Sequence, residues 1–301
     1  MPLNIFNAPV EELHDELLLQ KKISLSVLRL DKIHPVVSGN KLFKLHYFLQ
    51  QALHSPHQTI ITFGGAYSNH LVATAFACHE YGLKCIGIVR GEHPKQLSHT
   101  LQQCMEYGMT LKFISRTAYA KKEYPDQLND ININFDDAVI IPEGGYDALG
   151  AKGAALIWDV MGENNYSHIC TAVGTATTLA GLLSCAIQQE IIGVPVLKGM
   201  HDIDNRLDFM LGNNFKKELL QIFNQYHFGG YAKKNSELID FMNYLWQQHQ
   251  LPTDFVYTAK LFFAIYDKIK NNYFTEGSHI LTLHTGGLQG NKSLPSGTLL
   301  F

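Results

Sequence analysis

The sequence has no surplus of charge of either sign: 24 lysines and arginines stand against 27 aspartates and glutamates, for a formal charge of -3. A dedicated nucleic-acid binder would show a basic face and a high pI, so that class is set aside. Cysteine is scarce and scattered, at Cys78, Cys85, Cys104, Cys170 and Cys185, with no CxxC pair. Neither a disulfide framework nor a zinc knuckle follows from such spacing, and a reducing cytoplasm is the compartment expected. The 15 histidines are dispersed and form no HExxH, so surface and packing roles are expected for most of them and no metal site. The N-terminus lacks the basic start and apolar stretch of a signal peptide. Long hydrophobic runs are missing too. The uncharged stretch nearest a membrane length, Ile169 to Ile187, holds four threonines, one serine and two glycines, and reads as strand, loop and helix.

What is present is core material. Hydrophobic residues make up 46% and charged ones 17% of the 301, which is globular composition without a disorder signature. A chain this long exceeds what one core fills efficiently, so one large or two intimately packed domains are expected. Short β-branched runs alternate with amphipathic stretches. Ile60 to Phe63 precedes a helix over Asn69 to Tyr81, Cys85 to Val89 precedes Leu97 to Tyr107, and Thr110 to Ile114 precedes a polar helical stretch. Val139 to Ile141 leads to an alanine-rich helix from Ala148 to Met161, and Ile169 to Val173 leads to a helix ending near Gln189. A strand over Gly193 to Leu197, a helix over Thr258 to Ile269 and a strand over Ile280 to Leu283 follow. Such alternation predicts parallel sheets buried on both faces.

In open α/β sheets, ligands bind beyond the carboxyl ends of strands, where helix N-termini offer free N–H groups. Four strand-end segments carry glycine: TFGGAYSNH (Thr62 to His70), IPEGGYDALG (Ile141 to Gly150), AVGTATTLAG (Ala172 to Gly181) and LHTGGLQG (Leu283 to Gly290). AVGTATTLAG is the best anion cradle, with three hydroxyls beside Gly174, although a threonine-capped helix would read the same way. It is neither a GxGxxG fingerprint nor a GK[ST] loop. In SGNKLFKL (Ser38 to Leu45), Lys41 opens a helix over Leu42 to Leu53, and Lys44 shares its face. The positive helix end favours a neutral, nucleophilic amine. Ser68 fits an N-cap, and AYSNH lacks the GxSxG of a serine hydrolase. Two classes stay open on the residues: a phosphate-cofactor enzyme with a reactive lysine, and a hydrolase or ligand-binding protein.

GNKLFKL, TFGGAYSNH, IPEGGYDALG, GTATTLAG, GGYAK, VYTAK and HTGG, in this order, resemble the pyridoxal-phosphate enzymes that group 1-aminocyclopropane-1-carboxylate deaminase with D-cysteine desulfhydrase. The resemblance spans Leu28 to Gly290 and implies a two-lobed α/β fold of the tryptophan-synthase-β-like type (fold type II), its sheets mostly parallel and flanked by helices. It implies that Lys41 forms the Schiff base with pyridoxal 5'-phosphate and that Lys44 assists in binding the cofactor. Asn69 would contact the ring oxygen, and Gly174, Thr175, Ala176, Thr177 and Thr178 would hold the phosphate. Thr285, beside Gly286, would face the pyridine nitrogen, with Thr258 nearby. Ser68, Asn69, His70 and Tyr257 would meet the substrate, and Tyr231 and Tyr257 would be the active-site tyrosines. Tyr67 and Tyr146 lie within the same motifs, with packing roles open to them. The phosphate loop departs from the family's GSGGT at Ala176 and Thr177, which bears on cofactor affinity. The resemblance also implies a homodimer acting on a small amino acid, with no nucleic-acid or membrane partner.

Deaminases of the group carry Glu after the VYxxK tyrosine and Leu before the last Gly-Gly, whereas Thr258 and Thr285 stand here, as in desulfhydrases. A carboxylate beside the pyridine nitrogen favours its protonation and a strong electron sink, as ring opening requires; a hydroxyl gives the weaker sink that suffices for expelling a thiolate. The expected reaction is therefore β-elimination of sulfide from D-cysteine after α-proton abstraction by Lys41, ring opening of the cyclopropane substrate being the alternative. Residues 1–47 with 160–301 are expected to form the larger lobe and 48–159 a smaller one inserted in it.

Overall fold

The computed structural model describes residues 8–37, 39–122, 135–162, 165–212 and 215–301. The first residues of the N-terminus, Ser38 of the Gly-Asn-Lys segment and much of the polar stretch after Ile114 lie outside these. Two sheets organise the chain. The six-stranded one runs β1-β2-β10-β7-β8-β9, from β1 (Val10–Leu13), β2 (Ser24–Leu28), β10 (His279–Leu283), β7 (His168–Val173), β8 (Glu190–Pro195) and β9 (Leu220–Ile222). The four-stranded one runs β5-β4-β3-β6, from β5 (Thr110–Ile114), β4 (Lys84–Arg90), β3 (Thr59–Gly64) and β6 (Val139–Ile141). Every pairing is parallel except β1 with β2, an antiparallel edge on an otherwise parallel sheet. The last strand sits between β2 and β7, so the chain returns to the middle of the sheet it began.

The helices are α1 (Glu16–Lys21), α2 (Lys41–His54), α3 (Asn69–Tyr81), α4 (His99–Glu106), α5 (Arg116–Tyr119), α6 (Ala148–Ala155), α7 (Thr177–Cys185), α8 (Ile203–Leu211), α9 (Ser236–His249) and α10 (Thr258–Lys270). Among the described residues, no helix is long and apolar enough to cross a membrane. Several boundaries differ from expectation. The alanine-rich helix stops at Ala155 and tightens into a 3-10 turn over Leu156–Val160, where the Trp158 indole donates to the Leu182 carbonyl at 3.1 Å. Helix α7 ends at Cys185 because Ala186 is extended and the Gln189 side chain accepts from the Ile187 and Gln188 N–H groups, which turns the chain into β8 three residues early.

One apolar cluster runs through both sheets' helices: Leu28, Phe43, Ile60, Leu71, Val173 and Leu179 are all buried in it. At its centre α6 lies against both α2 and α7. A Cβ on Gly181 of α7 would come within 2.6 Å of Ala154 Cβ, and one on Gly153 of α6 within 2.2 Å of the Phe43 carbonyl oxygen. Small residues thus let three backbones approach at the joint between the sheets, at the expense of some helix propensity. Gly181→Ala should destabilise the protein by about 1–3 kcal/mol, because backbone rather than a movable side-chain tip blocks the methyl group. Denaturant unfolding checks this, and a variant within about 0.5 kcal/mol of wild type would contradict it.

Candidate active site

The carboxyl ends of β3, β6, β7 and β10 all open on one cavity of about 1100 Å³. This is at the upper end of pockets for drug-sized ligands and exceeds what a small amino acid needs alone. Its wall includes Asn40, Lys41, Lys44, Ser68, Asn69, His70, Gly174 to Thr178, Tyr231, Tyr257, Thr285 and Gly286. Sequence segments far apart in the chain therefore converge.

Gly39 shows why. It has φ +73°, and a Cβ there would lie 1.8 Å from the Thr285 carbonyl oxygen. Only glycine lets the turn before α2 press against the end of β10. Lys41 is the first residue of α2, and its Nζ donates to Asn40 Oδ1 at 2.6 Å; Asn40 Nδ2 in turn donates to Thr178 Oγ1 at 2.7 Å. The lysine is thus tied to the start of α7. Burial lowers the Lys41 amine to about 8, although the Asp254 charge works in the opposite direction. Burial first, and then the Lys41 charge, push the Lys44 amine well below its ordinary value. Lys44 makes no hydrogen bond or ion pair among the described residues.

Helix α3 begins at the cavity. Ser68 is its N-cap, accepting from the Leu71 N–H at 3.3 Å while lining the wall. Thr62 Oγ1 donates to the Ile141 carbonyl at 2.9 Å, so the 2.9 Å contact between Thr62 and His70 has His70 Nε2–H as its donor. That tautomer leaves His70 Nδ1 an acceptor, and Nδ1 and Asn69 Oδ1 are buried without partners among the described residues. Burial, followed by the Lys41 and Lys44 charges, takes His70 down to about 3, so the imidazole is neutral.

The glycine-threonine loop before α7 is not a threonine cap. Its N-cap is Ala176, at φ +69° with no side-chain hydrogen bond to the helix. The Thr177 hydroxyl lies 2.9 Å from that of Thr175 and 3.4 Å from the Gly144 carbonyl, while Thr178 accepts from Asn40. The backbone N–H groups of the first turn, with Lys44 in the same cavity, are the donors available to a phosphate.

On the other side the rings of Tyr231 and Tyr257 meet edge to face at 6.1 Å and their hydroxyls pair. Burial pushes both phenols upward, so each keeps its proton at neutral pH. Thr285 lines the wall, but Thr258 does not, contrary to the sequence expectation. Thr258 is fully buried beneath it. Its N–H and hydroxyl donate to Asp254 Oδ1 at 2.9 and 2.7 Å, while Asp254 Oδ2 accepts from the Val256 and Tyr257 N–H groups. Asp254 thereby folds the turn that starts α10 and presents Tyr257.

Sequence reading did not single out Asp254, Asn40 or Lys260. The fully buried Lys260 amine donates to the His227 and Gly230 carbonyls at 2.9 and 2.7 Å and holds the loop that carries Tyr231. Asn40 had a signal in the Gly-Asn turn, and Lys260 stands in VYTAK; Asp254 had none. Arg90, Lys122, Glu143, Tyr146 and Arg206 also line the cavity.

A lysine whose pKa burial lowers to about 8, orphaned acceptors at Asn69 and His70, and an uncapped helix start fit an aromatic aldehyde bearing a phosphate. The family model for pyridoxal-phosphate dependent enzymes matches residues 3–286. The chain belongs to the pyridoxal-phosphate-dependent enzymes, and its architecture is tryptophan-synthase-β-like. It is 31% identical over 287 residues to a Thermotoga maritima protein named "Putative 1-aminocyclopropane-1-carboxylate deaminase", with 88% of each chain covered. A Pyrococcus horikoshii protein of the same name is 27% identical over 267 residues, covering 84% of this chain and 81% of the relative. Among solved structures, one described as an ACC deaminase homologue superposes with TM-score 0.77 at 23% identity, covering 96% of this chain and 92% of that one. A hydrogen sulfide-producing enzyme from Fusobacterium nucleatum superposes with TM-score 0.67 at 14% identity, covering 96% and 97%.

Because burial lowers its pKa, the Lys41 amine should become reactive at lower pH than a surface lysine. In cofactor-free protein, the trinitrobenzenesulfonate labelling that Lys41→Ala removes should rise with pH about a midpoint of about 8. A midpoint at the ordinary 10.5 would refute the assignment.

Proposed function

We propose that the protein is a lyase acting on a small amino acid, D-cysteine being the substrate, which it converts with water to pyruvate, ammonia and hydrogen sulfide. The observation that carries this reading is the character of the wall around Thr285. Residues 257 and 285–287 offer hydroxyls and N–H groups to the cavity, and the nearby Asp254 carboxylate is consumed by four hydrogen bonds from its own turn. A ring nitrogen facing Thr285 meets a neutral hydroxyl rather than a carboxylate, which matches elimination of a thiolate better than rupture of a carbon ring.

Bound pyridoxal phosphate supplies an aldehyde that captures amines and a ring that accepts the electron pair left by Cα deprotonation. The chain does the rest. The first-turn N–H groups of α7 and the Lys44 amine hold the phosphate. Asn69 and His70, with their unpartnered acceptors, orient polar hydrogens at the base of α3. Lys41 Nζ, its pKa lowered by burial to about 8 so that a larger share is neutral at physiological pH than for a surface lysine, moves the Cα proton. Ser68 takes the substrate carboxylate, and the Tyr231–Tyr257 pair holds a proton beside the departing sulfur. The larger lobe is assigned to residues 1–47 with 160–301 and the smaller to 48–159; the four-stranded sheet falls within the latter.

The names of the Thermotoga and Pyrococcus relatives favour a second reading, opening of 1-aminocyclopropane-1-carboxylate to 2-oxobutanoate and ammonia. Assays with D-cysteine, L-cysteine, β-chloro-D-alanine and the cyclopropane amino acid separate the two. The expected result is turnover of D-cysteine with sulfide release, reduced about 10²–10⁴-fold in Lys41→Ala. Turnover of the cyclopropane substrate with D-cysteine inert would install the second reading.

A further inference from the structure

The loop before α7 makes contacts that anion binding does not require. Thr177 is fully buried at the first position of α7, and its hydroxyl faces two ways. It donates to the Gly144 carbonyl at 3.4 Å, across to the turn after β6, which leaves the Thr175 hydroxyl to donate to Thr177 at 2.9 Å. The turn meets the loop closely on its own account: Gly144 has φ +68°, and a Cβ there would lie 2.8 Å from Thr175 Cγ2. Next to it, a Cβ on Gly145 would lie 3.3 Å from Lys44 Cβ. The turn thus lies against both the loop and the aliphatic stem of Lys44. The turn also lines the cavity through its own side chains: Glu143 pairs with Lys122 at 3.5 Å, and Tyr146 is part of the wall.

We propose that Thr177 is a positioning residue that couples the phosphate cradle to the Glu143–Tyr146 turn, so that holding the cofactor phosphate and fixing that wall of the cavity are one event. The two departures of this chain from the GSGGT pattern then act together. Ala176 accepts a left-handed conformation that disfavours a side chain, and Thr177, where the pattern has its third glycine, supplies the tether from the loop to the Gly144 turn. A glycine at 177 could hold a phosphate through its N–H but would have nothing to offer the Gly144 carbonyl. The unpartnered Lys44 amine in the same cavity is the independent sign that an anion belongs there.

This inference rests on the reading that residues 174–178 take the phosphate, and the test separates the two. Holoenzyme of wild type, Thr177→Val and Thr177→Ser is dialysed against graded pyridoxal phosphate or pyridoxal, with bound ring read by visible absorbance. Hydrogen–deuterium exchange over residues 142–150 is measured on the loaded proteins. Loss of the tether should raise the half-saturating pyridoxal phosphate concentration of Thr177→Val about tenfold, leave pyridoxal binding unchanged, and speed exchange over the turn. Thr177→Ser should restore both readouts. A Thr177→Val protein that matches wild type in either readout overturns the coupling. Equal wild-type affinity for pyridoxal and pyridoxal phosphate would instead remove the phosphate reading beneath it.

Discussion

The approach of Gly39 to the Thr285 carbonyl is the contact on which the site depends. It joins the start of α2 to the end of β10, the strand that returns to the middle of the larger sheet. Because α2 begins at Lys41, this one contact sets where the reactive amine stands relative to the end of β10. Asn40 then carries the placement sideways to Thr178 and the start of α7 through two short hydrogen bonds. The Lys41 amine, the start of α7 and Thr285 are therefore held by one connected set of contacts. A side chain at 39 would part them, whatever the chemistry of its own group.

That rigidity has an electrostatic use. Lys41 and Lys44 lie one helical turn apart, Lys44 buried and Lys41 partly so, and the Lys41 charge depresses Lys44 while both depress His70. A site that buries two amines without a counter-carboxylate in contact favours their neutral forms and welcomes an anion. Asp254 is near enough to raise Lys41, yet its oxygens are committed to the turn before α10. The site thus keeps Lys41 and the start of α7 side by side, with neither the Lys41 nor the Lys44 amine held in an ion pair among the described residues.

Much of this was legible in the chain and some was not, for physical reasons. Strand ends followed by glycine could be read because parallel strands buried on both faces are continuous β-branched runs, and the residues after them must turn sharply. The helix over Asn69–Tyr81 and the strands Thr110–Ile114 and Val139–Ile141 stand where periodicity put them. The stretches without such runs went unread. Strand β2, SLSVL, alternates serine with apolar residues, and α9 offers only an Asn235 cap and an amphipathic face. Within the site, the hydroxyl-rich loop suggested threonine caps, but the structure uses Ala176 in a left-handed conformation, which composition does not signal. Thr258 was placed beside the cofactor because it follows Tyr257; the helix that starts there turns it inward to Asp254, a residue that no motif marked.

The inward turn of Thr258 bears on the chemistry more than its identity does. A glutamate at 258 would enter a fully buried position next to the Asp254 carboxylate, and two buried carboxylates in contact cannot both stay ionised without a large cost. In this backbone, then, hydroxyl at 258 and carboxylate at 254 form one unit: threonine satisfies the aspartate, and the aspartate folds the turn that presents Tyr257. An acidic partner supplied from position 258 would require both positions to change together and the turn to be rebuilt. The packing around α10 for that reason bars a carboxylate at 258 and leaves Thr285 as the side chain that gives the wall its neutral character there.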